Sequence, residues 1–229
     1  MRSNLDTPRR EPNPRPLLML LMTVAFLGDS CALQKVVGVT GEKPSEQEVA
    51  KLLAERGGLP EDPEAARRVT TLSYALVEAQ ERVGERFRPY ETGFALLLVA
   101  AYTFVLVFGV RAYGWAPGSA RGLARVSIFV LPARVAVAAV DFASTRALGP
   151  ATRDLTIALT ASQKTPLPAD QAAQVQEAIG NLAQWVPVAL QIAMALFVCI
   201  LFQQASRYFQ KAEVLALFDR KAPPEPDGL

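Results

Sequence analysis

Arg134 and Asp141 are the residues whose type and setting could do chemistry. Both lie within an apolar block running from Val126 to Thr145. A charge near the bilayer centre costs roughly 2.5–3.5 kcal/mol on insertion scales, so it persists where a partner or a water-lined cavity offsets that cost. The two are seven residues apart, which on a helix places them on one side, two turns from each other. Asp29 in the first apolar block and Gln191 in the last fall at comparable depth. The expectation is an intramembrane polar cluster of Arg134, Asp141, Asp29 and Gln191. It would serve either as a proton, ion or substrate path or as a static ion pair holding helices in register, and the static pair is the simpler reading. In a third reading Arg134 snorkels to the cytoplasmic interface.

Other chemistry is scarce. The 229 residues contain no histidine, which removes the usual general base and the commonest metal ligand. Two cysteines, Cys31 and Cys199, are too few for a zinc site or a disulfide framework. No phosphate-cradling glycine loop, nucleophile elbow or zinc-protease motif is present. Glu78, Glu81 and Glu85 are interleaved with Arg82 and Arg88 at helical spacing, the pattern of surface ion pairing. A net charge of +2 leaves no nucleic-acid footprint. No catalytic residue, metal or cofactor is expected.

The elements that position the polar residues follow from where the apolar residues collect. Residues 1–16 are rich in arginine and proline and read as a disordered cytoplasmic leader. The run LLMLLMTVAFLG from Leu17 is shorter than a spanning helix needs. Residues 17–39 form a first transmembrane helix if the run continues through Asp29. The alternative is a signal peptide cut after Ala32, with Ser30 and Ala32 as the small residues. The uncut helix is the expectation. Residues 93–110, GFALLLVAAYTFVLVFGV, carry no charge and give the strongest spanning signal. Residues 126–145 and 182–203 complete a set of four transmembrane helices, with Trp185 at the edge of the last, where aromatic rings favour the interface. Residues 111–125 read as a short cytoplasmic turn and 146–181 as a long extracytoplasmic loop, in which Leu155, Ile157 and Leu159 touch the membrane surface and a helix restarts near Asp170 to run into the last span. Residues 204–229 read as a cytoplasmic tail, helical toward Arg220 as either an extension of the last span or an interfacial segment.

Residues 41–92 are polar and helical in pattern. Ser45 and Glu48 make a capping box, and Val49, Leu52 and Leu53 supply a short apolar face. Gly57, Gly58 and Pro60 end that helix, and Asp62-Pro63 starts another. Val69, Leu72, Leu76, Ala79 and Val83 then recur at spacings of three and four, a narrow seam of the kind that packs helix on helix. The expected element is an extracytoplasmic αα-hairpin whose seam, Val69, Leu72, Leu76, Val83 and Phe87, packs within the chain on Val49, Leu52 and Leu53; the first helix is too short to cover all of it, and the uncovered half toward Val83 and Phe87 is the expected partner-binding surface.

Lysine and arginine are dense in the leader, the 111–125 turn and the tail, which places these segments and both termini in the cytoplasm. The alanine- and arginine-rich composition points to a bacterial inner membrane. The sequence thus predicts an all-α, multi-pass membrane protein surrounded by the lipid bilayer and bound to a protein partner or to further copies of itself. Three roles follow: a non-enzymatic assembly or interaction subunit presenting the hairpin outside, a small oligomeric transporter or channel using Arg134 and Asp141, and a lipid enzyme working without histidine. The first is the expectation.

Overall fold

The computed structural model describes residues 12–37, 44–161 and 168–221. Among these the regular structure is entirely α-helical: α1 Arg15–Val37, α2 Glu46–Glu55, α3 Pro63–Tyr113, α4 Ser119–Ala161, α5 Ala169–Phe209 and α6 Ala212–Lys221. Four of these, α1, α3, α4 and α5, are long and apolar enough to cross a membrane. They also expose large apolar side chains, including Phe26, Leu27, Phe104, Val110, Phe129, Leu190 and Phe197. Water would penalise so much exposed apolar surface, whereas lipid does not. The fold is that of a multi-pass helical membrane protein.

Three of the helices are longer than a membrane requires. At 51 residues α3 is about 76 Å long, against a hydrocarbon core of roughly 30 Å. The helices α4 and α5 have 43 and 41 residues. The expected boundary between a hairpin helix and the span beginning at Gly93 does not exist, because α3 runs through Pro89 without a break. A proline in a helix removes one backbone hydrogen bond, whereas ending the helix would orphan up to four carbonyls and, on restarting, four amides. The loop expected after residue 145 is helical as far as Ala161, where α4 ends, and the helix expected from about Asp170 is the start of α5 at Ala169. Thr152, Thr156 and Thr160 each donate a hydroxyl to the carbonyl four residues back, Leu148, Thr152 and Thr156, at 2.8–3.1 Å. Their hydroxyls are thereby satisfied within the helix and do not compete with it.

The helix ends follow their local chemistry. The Ser45 amide donates to Glu48 Oε2 at 2.7 Å and the Glu48 amide donates to Ser45 Oγ at 3.3 Å, closing the capping box of α2. Its C-terminus is a Schellman motif, with the Gly58 amide donating to Leu53 O and the Gly57 amide to Ala54 O. Gly57 takes φ +65°, which glycine adopts freely. The same motif ends α3: the Ala116 amide donates to Arg111 O and the Trp115 amide to Ala112 O. Here the residue at φ +60° is Trp115, a conformation that costs an L-residue roughly 1–2 kcal/mol.

The chain forms two compact units. The first comprises Met1–Leu33, Leu97–Ala133 and Val198–Leu229, and the second Gln34–Leu96 and Arg134–Phe197. The first unit is packed around rings. Tyr102 meets Phe202 with centroids 5.9 Å apart, Trp115 meets Phe218 at 4.9 Å, and Phe209 meets Phe218 at 6.4 Å. Leu18, Leu21 and Ala25 of α1 are buried. A Cβ at Gly28 would lie 2.4 Å from the Tyr102 ring, so α1 approaches α3 only because Gly28 has no side chain. The tail does not extend α5. The chain turns at Gln210 and Lys211, and α6 buries Val214, Leu217 and Phe218.

Candidate functional site

The second unit holds most of the polar residues singled out from the sequence, and it does not gather them as expected. Arg134 and Asp141 do not pair. Seven residues along a helix separate them by a rise of about 10.5 Å. Asp141 Oδ1 instead accepts from Lys35 Nζ in the last turn of α1. Arg134 is half-buried, and its Nε is buried with no hydrogen-bond partner among the described residues. Gln191 pairs with Thr145: its Nε2 donates to Thr145 Oγ1 at 3.0 Å. Asp29 belongs to the first unit, where its Oδ1 is likewise buried and without a partner among the described residues. The four expected members therefore divide into two paired groups and two orphaned atoms.

A different pattern links α4 to α5. Asp141, Thr145, Gly149, Arg153 and Ile157 are spaced by four and form one stripe along α4. Thr145 meets Gln191, and Gly149 lies under the Gln184 side chain, whose Cγ is 2.9 Å from where a Cβ would stand. Arg153 Nη2 donates to Glu177 Oε1 at 3.4 Å. Gly180 is covered by Ile157, with Cγ1 2.8 Å from an ideal Cβ. From Thr145–Gln191 through Gly149–Gln184 to Arg153–Glu177 the α4 number rises as the α5 number falls, so the two helices are antiparallel along this stripe. Two glycines let them approach closely, as in membrane helix pairs generally. Leu155, Ile157 and Leu159, expected in a loop touching the membrane surface, are half-buried on α4.

The expected partner-binding seam lies on the first half of α3. Val69 is fully buried, while Leu72, Leu76, Val83 and Phe87 are half-buried. On α2 Val49 is buried and Leu52 is 48% exposed. On α5, Val175 and Ile179 are also exposed. A groove of about 470 Å³ is lined by Asp62, Glu64, Ala65 and Arg68 from the start of α3 and by Ala158 and Ala161 from the end of α4. The two helix ends are therefore neighbours within the unit.

Sequence reasoning missed Lys35, Thr145, Gly149, Arg153, Glu177 and Gly180. Two signals could have found them: the repeat of polar or small residues every fourth position from Asp141, and the lysine closing the first apolar block. The capping of α2 has an electrostatic signature. The hydrogen bonds from the Ser45 amide and hydroxyl hold the Glu48 carboxyl below the usual carboxylate range. Among the described residues no group of histidine, cysteine, aspartate or glutamate side chains could hold a metal ion.

No family model, curated protein or solved structure matches the chain.

Proposed function

We propose that this protein is a non-enzymatic membrane subunit that presents a rigid helical body beyond the bilayer for assembly with another protein or with further copies of itself. The observation that carries this reading is the length of α3, α4 and α5, each of which exceeds a membrane crossing by tens of ångströms. The half-buried seam from Leu72 to Phe87 and the exposed Leu52, Val175 and Ile179 offer apolar surface on that body. With both termini in the cytoplasm of a bacterial inner membrane, this body faces outward, as Arg111, Arg121 and Arg125 on either side of the turn between α3 and α4 favour. A retained first helix suits the same reading: α1 buries Leu18, Leu21, Ala25 and Ala32, at spacings of three, four and seven that keep to one face.

The test is photo-crosslinking in native membranes, with the crosslinker placed at Val83 or Phe87 of the full chain. The expected product is a protein adduct, either a dimer or a heavier heterologous species. Crosslinks to lipid alone would overturn the assignment.

A second reading, a subunit of a small oligomeric transporter or channel, is favoured by Arg134 Nε, which is buried and has no partner among the described residues. Its expected result is a flux in proteoliposomes that Arg134→Leu abolishes while assembly is preserved.

A further inference from the structure

One end of the first unit concentrates positive charge just beyond the apolar runs of its helices. Arg111 follows the last residue of the apolar run in α3, Arg121 and Arg125 precede that of α4, Arg207 follows that of α5, and Arg220 and Lys221 close α6. All six are exposed. Three contacts show that these segments share one end: Ser206 Oγ donates to Ala124 O at 2.9 Å, Trp115 packs on Phe218, and Arg15 of α1 lies 5.3 Å from the centroid of the Tyr113 ring. The acidic residues of α6 are only Glu213 and Asp219.

The aromatic residues of this end are arranged with the cations. Lys221 Nζ lies 4.9 Å above the Trp115 ring, and Lys211 Nζ lies 5.9 Å from that of Tyr208. Trp115 occupies a left-handed backbone position that the glycine beside it, Gly114, would fill without strain. The strained backbone puts an indole between the buried Phe218 and the exposed Lys221, at the level where indoles favour the membrane interface.

We propose that this end of the first unit is a binding site for anionic phospholipid headgroups, with Arg121, Arg125, Arg220 and Lys221 supplying the charge and Trp115 marking its depth. The site depends on the membrane reading of the fold and is independent of the assembly role. A set of cations just outside the hydrocarbon attracts anionic lipid with a strength that adds up residue by residue and falls with salt. The shared chemistry is that of a phosphate group, whether on a lipid or free in solution, and the commitment is to lipid.

The experiment uses the full chain with Trp185→Phe, so that Trp115 is the sole indole, in bilayer nanodiscs of mixed phosphatidylcholine and phosphatidylglycerol. Bromine is carried near the headgroup end of the acyl chain, on one lipid or the other at equal mole fraction. Brominated phosphatidylglycerol is expected to quench Trp115 at least about twofold more than brominated phosphatidylcholine, with the preference lost at high salt. Arg121→Gln, Arg125→Gln, Arg220→Gln and Lys221→Gln together should abolish the preference. The salt titration of the unsubstituted cations gives the same test without depending on that variant's folding. Equal quenching by the two lipids, or a preference insensitive to salt, would overturn the proposal. A preference removed by inorganic phosphate but not by chloride of the same ionic strength would overturn the lipid assignment in favour of free phosphate.

Discussion

The two units of this protein hold their helices together by different means. The first uses rings: Tyr102, Phe202, Phe209, Trp115 and Phe218 meet edge or tilt at centroid distances of 4.9–6.4 Å. Both have glycines at helix contacts, Gly28, Gly109 and Gly122 in the first and Gly149 and Gly180 in the second, but the second adds the side-chain pairs Thr145–Gln191 and Arg153–Glu177. Even the helix ends differ, since Gly57 takes the left-handed position in the second unit and Trp115 takes it in the first. Packing in the first unit therefore rests on volume, and in the second on register. Volume is lost in proportion to what is removed, whereas register fails when something is added or a single partner is withdrawn.

The sharpest contrast is expected from truncation. Phe202→Ala should destabilise the chain by about 3–5 kcal/mol, read as a lowered unfolding midpoint in mixed micelles, because it leaves a cavity beside Tyr102. A loss below about 1 kcal/mol would show that the ring core closes around the gap and would erase the distinction between the units. Next in size is Gly180→Leu, expected to cost about 1–3 kcal/mol by forcing Ile157 aside. It should also slow disulfide formation between cysteines placed at Thr145 and Gln191. Unchanged crosslinking would mean that the stripe does not set the α4–α5 register.

Smaller effects sharpen the comparison. Thr145→Val alone should cost about 1 kcal/mol by stranding the Gln191 amide, and adding Gln191→Leu should recover most of it in a double-mutant cycle. The smallest effect concerns α2. Glu48 has a lowered pKa in the folded chain, so its stabilisation is present above the unfolded value and is lost as pH falls through the folded one. Helicity measured by circular dichroism should therefore drop slightly in acid. Glu48→Gln, which keeps an acceptor but does not titrate, should remove that dependence.

The spans were legible because a bilayer demands about twenty apolar residues in a row, and the runs beginning at Gly93 and Leu182 supply them without a charge. Their true lengths were not legible. Threonine and proline are read as loop formers, yet Thr152 to Thr160 satisfy their own hydroxyls on α4, and Pro89 costs α3 less than a break would. The site was half legible. Asp141 and Gln191 stood out as polar residues in apolar runs, but composition gives no partners. Lys35 is 106 residues from Asp141 in the chain, and nothing in local spacing joins them. The docking of α6 was hidden for the same reason, because its apolar face reads equally well against lipid, a partner or its own bundle.

That separation of 106 residues also governs how the protein is made. At roughly 5–20 residues per second, a ribosome needs about 5–20 seconds after Lys35 to produce Asp141. Through that interval the first helix is already in the membrane with its ammonium group uncompensated. Its place in the last turn of α1 lets it wait at the water boundary, and the arrival of α4 then fastens the oldest helix to a newer one. Biogenesis thus has a built-in order, in which the first helix waits for a much later one to supply its electrostatic counterpart.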